Sequence, residues 1–356
     1  MKIAFVGFGG VGQSLAKLLV EQKRQLIEDF GFEPVIVAVS DVMKGAVYDP
    51  KGLDIPHLLE VLDETGNMEN YFNTRSKVVK GLNSLETITG TNAEVIVEVT
   101  YTNVKTGQPA IDHCKAAFEN KKSLVTTNKG PVALLYQELG ELAAKNDVFW
   151  GFEGTVMSGT PALRMPVSTL AGNDITEIKG ILNGTTNYIL TEMEAGSSYE
   201  NALAKAQELG YAEADPTSDV EGYDARYKAV ILSNYLMGGN ITPDDVACQG
   251  ISGITVEKME EVKSRNKTIR LLARIKKANG KITAKVQPEE LEKNDPLASV
   301  QGPTNGILYK CNLAGPIFLT GAGAGLRETA YSLLIDLINY QREKRMKVRE
   351  VDYNAN

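Results

Sequence analysis

The chain opens on a short apolar run, Lys2–Val6, that ends directly in GFGGVG at residues 7–12. A GxGxxG pattern between a strand and a helix constrains the fold more than any other feature here. Glycine triplets alone are weak signals, but this one has the required setting. A helical pattern follows at Val11–Phe30, with Leu15, Leu18, Leu19 and Leu26 on one side. In such a unit Gly7 permits the tight turn, Gly9 lets the backbone approach a pyrophosphate, and Gly12 lets helix and strand pack closely. The phosphates then meet unpaired N–H groups at the helix start. Gly7, Phe8, Gly9, Gly10, Val11 and Gly12 are therefore the expected dinucleotide contacts.

Further strand patterns follow at Pro34–Val39, Glu94–Val99, Ser123–Val125 and Asp147–Phe152, with helical spacing at Gln108–Asn120 and Val132–Asn146. Strands alternating with helices predict a Rossmann-type, doubly wound α/β parallel sheet. The pattern changes after about Gly151. Ile175–Leu182 and Lys281–Val286 look like strands. Tyr199–Leu209, Asp224–Met237, Thr255–Ala278 and Pro288–Asp295 look helical or turn-like. This predicts a second, mixed α/β domain. The glycine cluster GAGAG at 321–325 precedes a helical tail, Glu328–Arg349. The expected domains are residues 1–150 with 317–356, and residues 151–316. A length of 356 residues fits two domains at roughly 100–200 residues each.

An acid after the second strand should hold the ribose hydroxyls of the dinucleotide. Glu33 has the usual interval but precedes the strand. Asp41 has the right topology and is chosen. An acid there favours NAD, whereas Lys44 and Lys51 nearby favour the 2′-phosphate of NADP, so both cofactors stay open. Thr100 and Lys129 follow the strands EVIVEV and SLVTT, where ligands of open α/β sheets bind. Both are candidates for the nicotinamide end.

Composition narrows the chemistry. A net charge of -7 argues against nucleic acid as a partner. Three scattered cysteines without a CxxC pair fit a reducing cytoplasm. Two histidines cannot form a multi-histidine metal site. No apolar stretch is long enough to span a bilayer, and no secretory signal opens the chain. Three segments stand out. GYAEADPTSDVEGYDARYK, residues 210–228, carries Glu213, Asp215, Asp219, Glu221 and Asp224, and places Asp224 and Lys228 on one helix face. A solvated acidic loop would look similar, but the helix that follows is apolar, and a lysine there is costly unless paired or used. LNGTTNYIL, residues 182–190, offers Asn183 or Thr185 as a helix cap near a ligand. EGTVMSGTPAL, residues 153–163, reads as a domain-crossing loop or as a set of carbonyls around a hard cation.

GFGGVG, TTNKG, EGTVMSGTPAL, IKGILNGTTNYIL, GYAEADPTSDVEGYDARYK and GAGAG together, in this order, resemble homoserine dehydrogenase over nearly the whole chain. The resemblance implies NAD(P)-dependent interconversion of L-homoserine and L-aspartate 4-semialdehyde, in the biosynthesis of threonine, methionine and isoleucine. It implies Lys228 and Lys129 as catalytic lysines, and Glu213, Asp219 and Asp224 as the acids around the substrate. It also implies a sodium ion at Glu153, Val156, Ser158 and Thr160. It implies a homodimer joined through the second domain, and a reaction at a cleft between the domains. Gly130, Met157 and Ser158 depart from residues common in the family. A form without a C-terminal ACT domain, and so without threonine feedback through one, is expected. The rivals are a phosphorylating semialdehyde dehydrogenase, which needs a thiolate, and a nucleotide-sensing protein with no use for both lysines.

Overall fold

The computed structural model describes residues 1–74, 76–103 and 105–354. The contacts within the chain divide it into two units, residues 1–155 with 326–356, and residues 156–325.

In the first unit the strands form one sheet, its inner members apolar and buried. The strands are β1 (Lys2–Val6), β2 (Val35–Asp41), β3 (Gly45–Tyr48), β4 (Val79–Lys80), β5 (Val95–Glu98), β6 (Ser123–Thr126) and β7 (Trp150–Gly151). Their order is β4-β3-β2-β1-β5-β6-β7. The five strands from β2 through β7 are parallel, while β3 and β4 add an antiparallel edge. The chain passes from β1 to β2 on one side and reaches β5 on the other. Ligands bind at such a switch point, outside the carboxyl ends of the strands.

Side chains of β1 alternate between two cores. Ile3 and Phe5 join Leu15, Leu19 and Leu58 on one face, together with Leu333 and Leu337 of the C-terminal helix Leu326–Asn354. Ala4 and Val6 join Phe118, Leu124 and Leu139 on the other. A strand buried on both faces is what an unbroken apolar run requires.

The second unit holds β8 (Ile175–Ile181), β9 (Val246–Cys248), β10 (Lys267–Ala278), β11 (Lys281–Glu292), β12 (Thr304–Cys311) and β13 (Gly315–Ala322). Their order is β13-β12-β8-β10-β11-β9, antiparallel except for β9 beside β11. The helix Tyr223–Met237 packs on β10 and β11.

Several expectations need correction. The helical reading of residues 255–278 holds only for Val256–Ser264, and β10 follows it. Its sequence KTIRLLARIKKA is rich in helix formers, but β10 pairs with β11 along its full length and with β8 on its other side. Paired neighbours on both edges outweigh local propensity. The same ladder makes residues 288–292 strand rather than helix or turn. The second domain boundary falls later than 316, because β13 runs to Ala322 and pairs with β12. The first helix is two, Gly10–Glu21 and Lys23–Glu28, broken at Gln22.

Candidate active site

In the first unit the glycine turn is tied to the neighbouring strands. Gly7 has φ +90, and a Cβ on it would lie 2.6 Å from the Val99 carbonyl carbon and 2.8 Å from the Thr100 nitrogen. Only glycine lets β1 turn so close to the end of β5. Its N–H donates to Ser40 O at 2.8 Å. Gly9 has nothing within 4 Å of where a Cβ would be, so the backbone here is open to a ligand. The helix Gly10–Glu21 starts with no side-chain cap, which leaves its first N–H groups for an anion. These features fit a dinucleotide pyrophosphate.

Asp41 ends β2 and is brought to this turn. Its Oδ2 accepts from the Phe8 N–H at 2.8 Å, and its Oδ1 from Met43 N–H at 2.9 Å and Lys44 N–H at 3.2 Å. The Lys44 ammonium donates to Phe8 O at 2.8 Å. An acid and a cation thus stand together at the expected ribose position. Lys51 instead lies two residues after Asp49, whose carboxylate accepts from its N–H.

Thr100 lies just beyond β5, and Lys129 is the first residue of the helix Lys129–Lys145. Asn128 caps that helix by accepting from the Gly130 N–H at 3.1 Å. A Cβ at Gly130 would lie 2.7 Å from the Gly107 Cα and 3.3 Å from Asn103 O, so the close approach of these two residues explains glycine where an alanine would clash.

In the second unit three segments meet around a buried lysine. The helix Tyr223–Met237 places Asp224 in its first turn and Lys228 four residues on, and both are nine-tenths buried. The Lys228 ammonium donates to Asp224 Oδ2 and to Leu182 O, each at 2.6 Å. An ammonium has three N–H donors, so one direction is left for a substrate oxygen. Asn183 follows β8, and its amide donates to Asp219 Oδ1 at 2.7 Å and to Asp224 Oδ2 at 2.9 Å. The Thr185 hydroxyl reaches Asp219 Oδ2 at 3.1 Å and Tyr211 O at 2.6 Å. Burial first, and then the Asp224 charge, hold the Asp219 carboxyl above its usual range.

Of the predicted acids, Asp219 and Asp224 join Lys228, but Glu213 does not. It is exposed on its loop, and its backbone carbonyl accepts from Gln207 Nε2 at 3.1 Å. Asn183 is the residue whose role the sequence understates. Its helix cap was visible, since its Oδ1 accepts from the Thr186 N–H at 2.9 Å. Its bridge between two carboxylates required the fold.

The predicted cation residues have oxygen donors of the right kind. Glu153 is buried, and its N–H donates to Asp336 Oδ2 at 3.0 Å. Val156 and Ser158 are buried, and Met157 and Ser158 have φ of 60 and 52. The Thr160 N–H donates to Met157 O at 2.9 Å. Backbone carbonyls and a carboxylate are the donor types a hard cation takes. Among the described residues no cluster of three His, Cys, Asp or Glu could hold a metal. Cys114 is fully buried, and burial, followed by the Glu98 charge, pushes its thiol well above the ordinary range. It is unsuited to thiolate catalysis.

Residues 7–153 match the model of the homoserine dehydrogenase NAD-binding domain, and residues 161–338 match the homoserine dehydrogenase model. The chain belongs to the homoserine dehydrogenase family. It is 43% identical over 340 residues to a homoserine dehydrogenase of Methanocaldococcus jannaschii, covering 95% of this chain and 98% of that protein. It is 42% identical over 347 residues to an NAD(+)-dependent homoserine dehydrogenase of Pseudomonas canavaninivorans, covering 97% of each. A hyperthermophilic archaeal homoserine dehydrogenase solved with NADPH superposes with a TM-score of 0.81 at 30% identity, over 96% of this chain and 98% of that one. Homoserine dehydrogenases are oxidoreductases, and the mixed α/β architecture with its NAD-binding unit is theirs. No helix among the described residues is long and apolar enough to cross a membrane.

Proposed function

We propose that this chain interconverts L-homoserine and L-aspartate 4-semialdehyde, with Lys228 moving the proton. The observation that carries this reading is the buried Asp224–Lys228 pair with one ammonium direction left open. When bound, NAD or NADP supplies the hydride chemistry at substrate C4. Lys228 donates a proton to the substrate oxygen as an alcohol forms, and takes it back in the reverse direction. Asp224 orients the ammonium, and Leu182 O fixes its second N–H. Asp219 and Asp224 offer negative charge to the substrate amino group, and Glu213 adds a third acid from the exposed loop.

The first unit takes the cofactor, with Gly7–Gly12 at the pyrophosphate, Asp41 and Lys44 at the ribose, and Thr100 and Lys129 at the nicotinamide. The second unit takes the substrate and joins a second copy of the chain. Glu153, Val156, Ser158 and Thr160 hold sodium through oxygen. The enzyme works in the cytoplasm, in amino-acid biosynthesis.

The test is to mix the protein with homoserine and NAD or NADP at alkaline pH and follow reduced-nicotinamide absorbance. Reduction that depends on homoserine is expected. Its absence with both cofactors overturns the reading. Lys228→Ala should lower turnover by roughly 10²–10⁴-fold while NADH still binds. Retained turnover in the folded variant removes Lys228 from the chemistry.

A further inference from the structure

Glu98 is a fully buried carboxylate at the end of β5 that the chemistry above does not use. It shares a sheet face with Ile96 and Leu124 of an apolar core. A carboxylate in such surroundings persists only if its oxygens are hydrogen-bonded. They are. Oε1 accepts from the Thr100 N–H at 3.2 Å and from the Thr100 hydroxyl. The His113 Nδ1, itself buried, stands 3.4 Å from the same oxygen. Oε2 accepts from the Thr126 hydroxyl at 2.9 Å.

The network runs on from there. Thr126 Oγ1 accepts from the Asn128 N–H at 2.9 Å, and Asn128 caps the helix that begins at Lys129. The Asn128 amide also donates to Tyr101 O at 3.4 Å. One carboxylate therefore ties the end of β5 to the end of β6 and to the helix start beyond it. The glycine turn, at the end of β1, makes its own hydrogen bonds to Ser40 and Asp41, while Gly7 packs against the backbone of Val99 and Thr100.

We propose that Glu98 is a positioning residue that fixes Thr100 and Lys129 at the nicotinamide end of the cofactor site. The proposal rests on the reading that Thr100 and Lys129 serve that end. Glu98 touches no ligand and acts through the backbone and side chains it holds. Glu98→Gln nearly keeps the volume but replaces one acceptor by a donor. Either Thr100 or Thr126 then loses its acceptor.

The test compares the full-length parent and Glu98→Gln for binding of ADP-ribose, the cofactor without its nicotinamide, for binding of NADH, and for kcat with homoserine. ADP-ribose affinity should stay within about twofold, while NADH affinity and kcat fall by roughly tenfold to a hundredfold. A purely structural role lowers the unfolding temperature and leaves the kcat of the folded protein unchanged, which overturns the proposal. An equal loss of ADP-ribose and NADH affinity also overturns it. Should Glu98→Gln not fold, Thr126→Val cuts the same network and carries the same expectations. Lys129→Ala and Thr100→Val separate the two claims. If both keep parental kcat and NADH affinity, the reading of the nicotinamide end fails. If either loses them while folded Glu98→Gln does not, only the role of Glu98 fails.

Discussion

Asp219 is held above the ordinary carboxylate range by burial first and by the Asp224 charge second. A raised carboxyl keeps its proton to higher pH in the folded protein than in the unfolded chain. Its contribution to stability is therefore present below the unfolded value of 3.8 and is lost as pH rises through the folded value. Above that point the substrate-free chain holds two adjoining carboxylates against the single charge of Lys228. On the proposed reading, the substrate ammonium is the cation that relieves them. Thermal unfolding of parent and Asp219→Asn across this interval should show the gap moving in the variant's favour as pH rises. A gap that does not move with pH removes this account. In the parent, the homoserine KM should rise as pH falls through the same interval, because protonation removes the charge that receives the ammonium. Asp219, Asp224 and Lys228 were legible because charges in a fixed motif precede an apolar helix. Glu98 was not, because in EVIVEV it reads as one more alternating strand position. Only the approach of His113 and Thr126, distant in sequence, reveals its partners.

Asn183 shows how one side chain serves both an element and a site. It caps the helix Gly184–Glu194 through Oδ1 and bridges Asp219 and Asp224 through Nδ2. Asn183→Ala should cost about 1 kcal/mol of stability for the lost cap, and should raise the homoserine KM as the carboxylates lose their spacer. Asn183→Asp keeps a capping oxygen but sets a third negative charge between the two. Its stability loss should be smaller at the helix end, yet its fall in kcat/KM larger. Steady-state kinetics beside urea unfolding separate the two effects. The reverse order, with Asn183→Ala the poorer catalyst, would remove the bridge from the account. At this scale the sequence marked one helix start well, through Asn183. It failed at β10 and at the end of β11, where twelve paired residues decide against residue preference.

Across the whole molecule, the alternation of apolar runs and helices was enough to read the parallel sheet around β1. The antiparallel sheet was less legible. Its strands β12 and β13 lie in a stretch rich in glycine, and their pairing joins residues with no common period. The C-terminal helix Leu326–Asn354 belongs to the first unit, and Ala330, Leu333 and Leu337 are fully buried in its core. Leu333→Ala should lower stability by about 2–5 kcal/mol. The same loss should weaken NADH binding as the unit loosens. Urea unfolding followed with and without NADH measures both, and an unchanged midpoint would show that this side chain is dispensable.

That helix also sets an order on synthesis. Residues 1–155 leave the ribosome early, with the glycine turn already among them, but one wall of their core arrives only after residue 326. The nascent first unit must wait through all of residues 156–325 with Ile3, Phe5, Leu15 and Leu19 only partly covered. The second unit is continuous in sequence and has no such wait. The core of the first unit is therefore completed only after the second unit has been made, although its glycine turn precedes both.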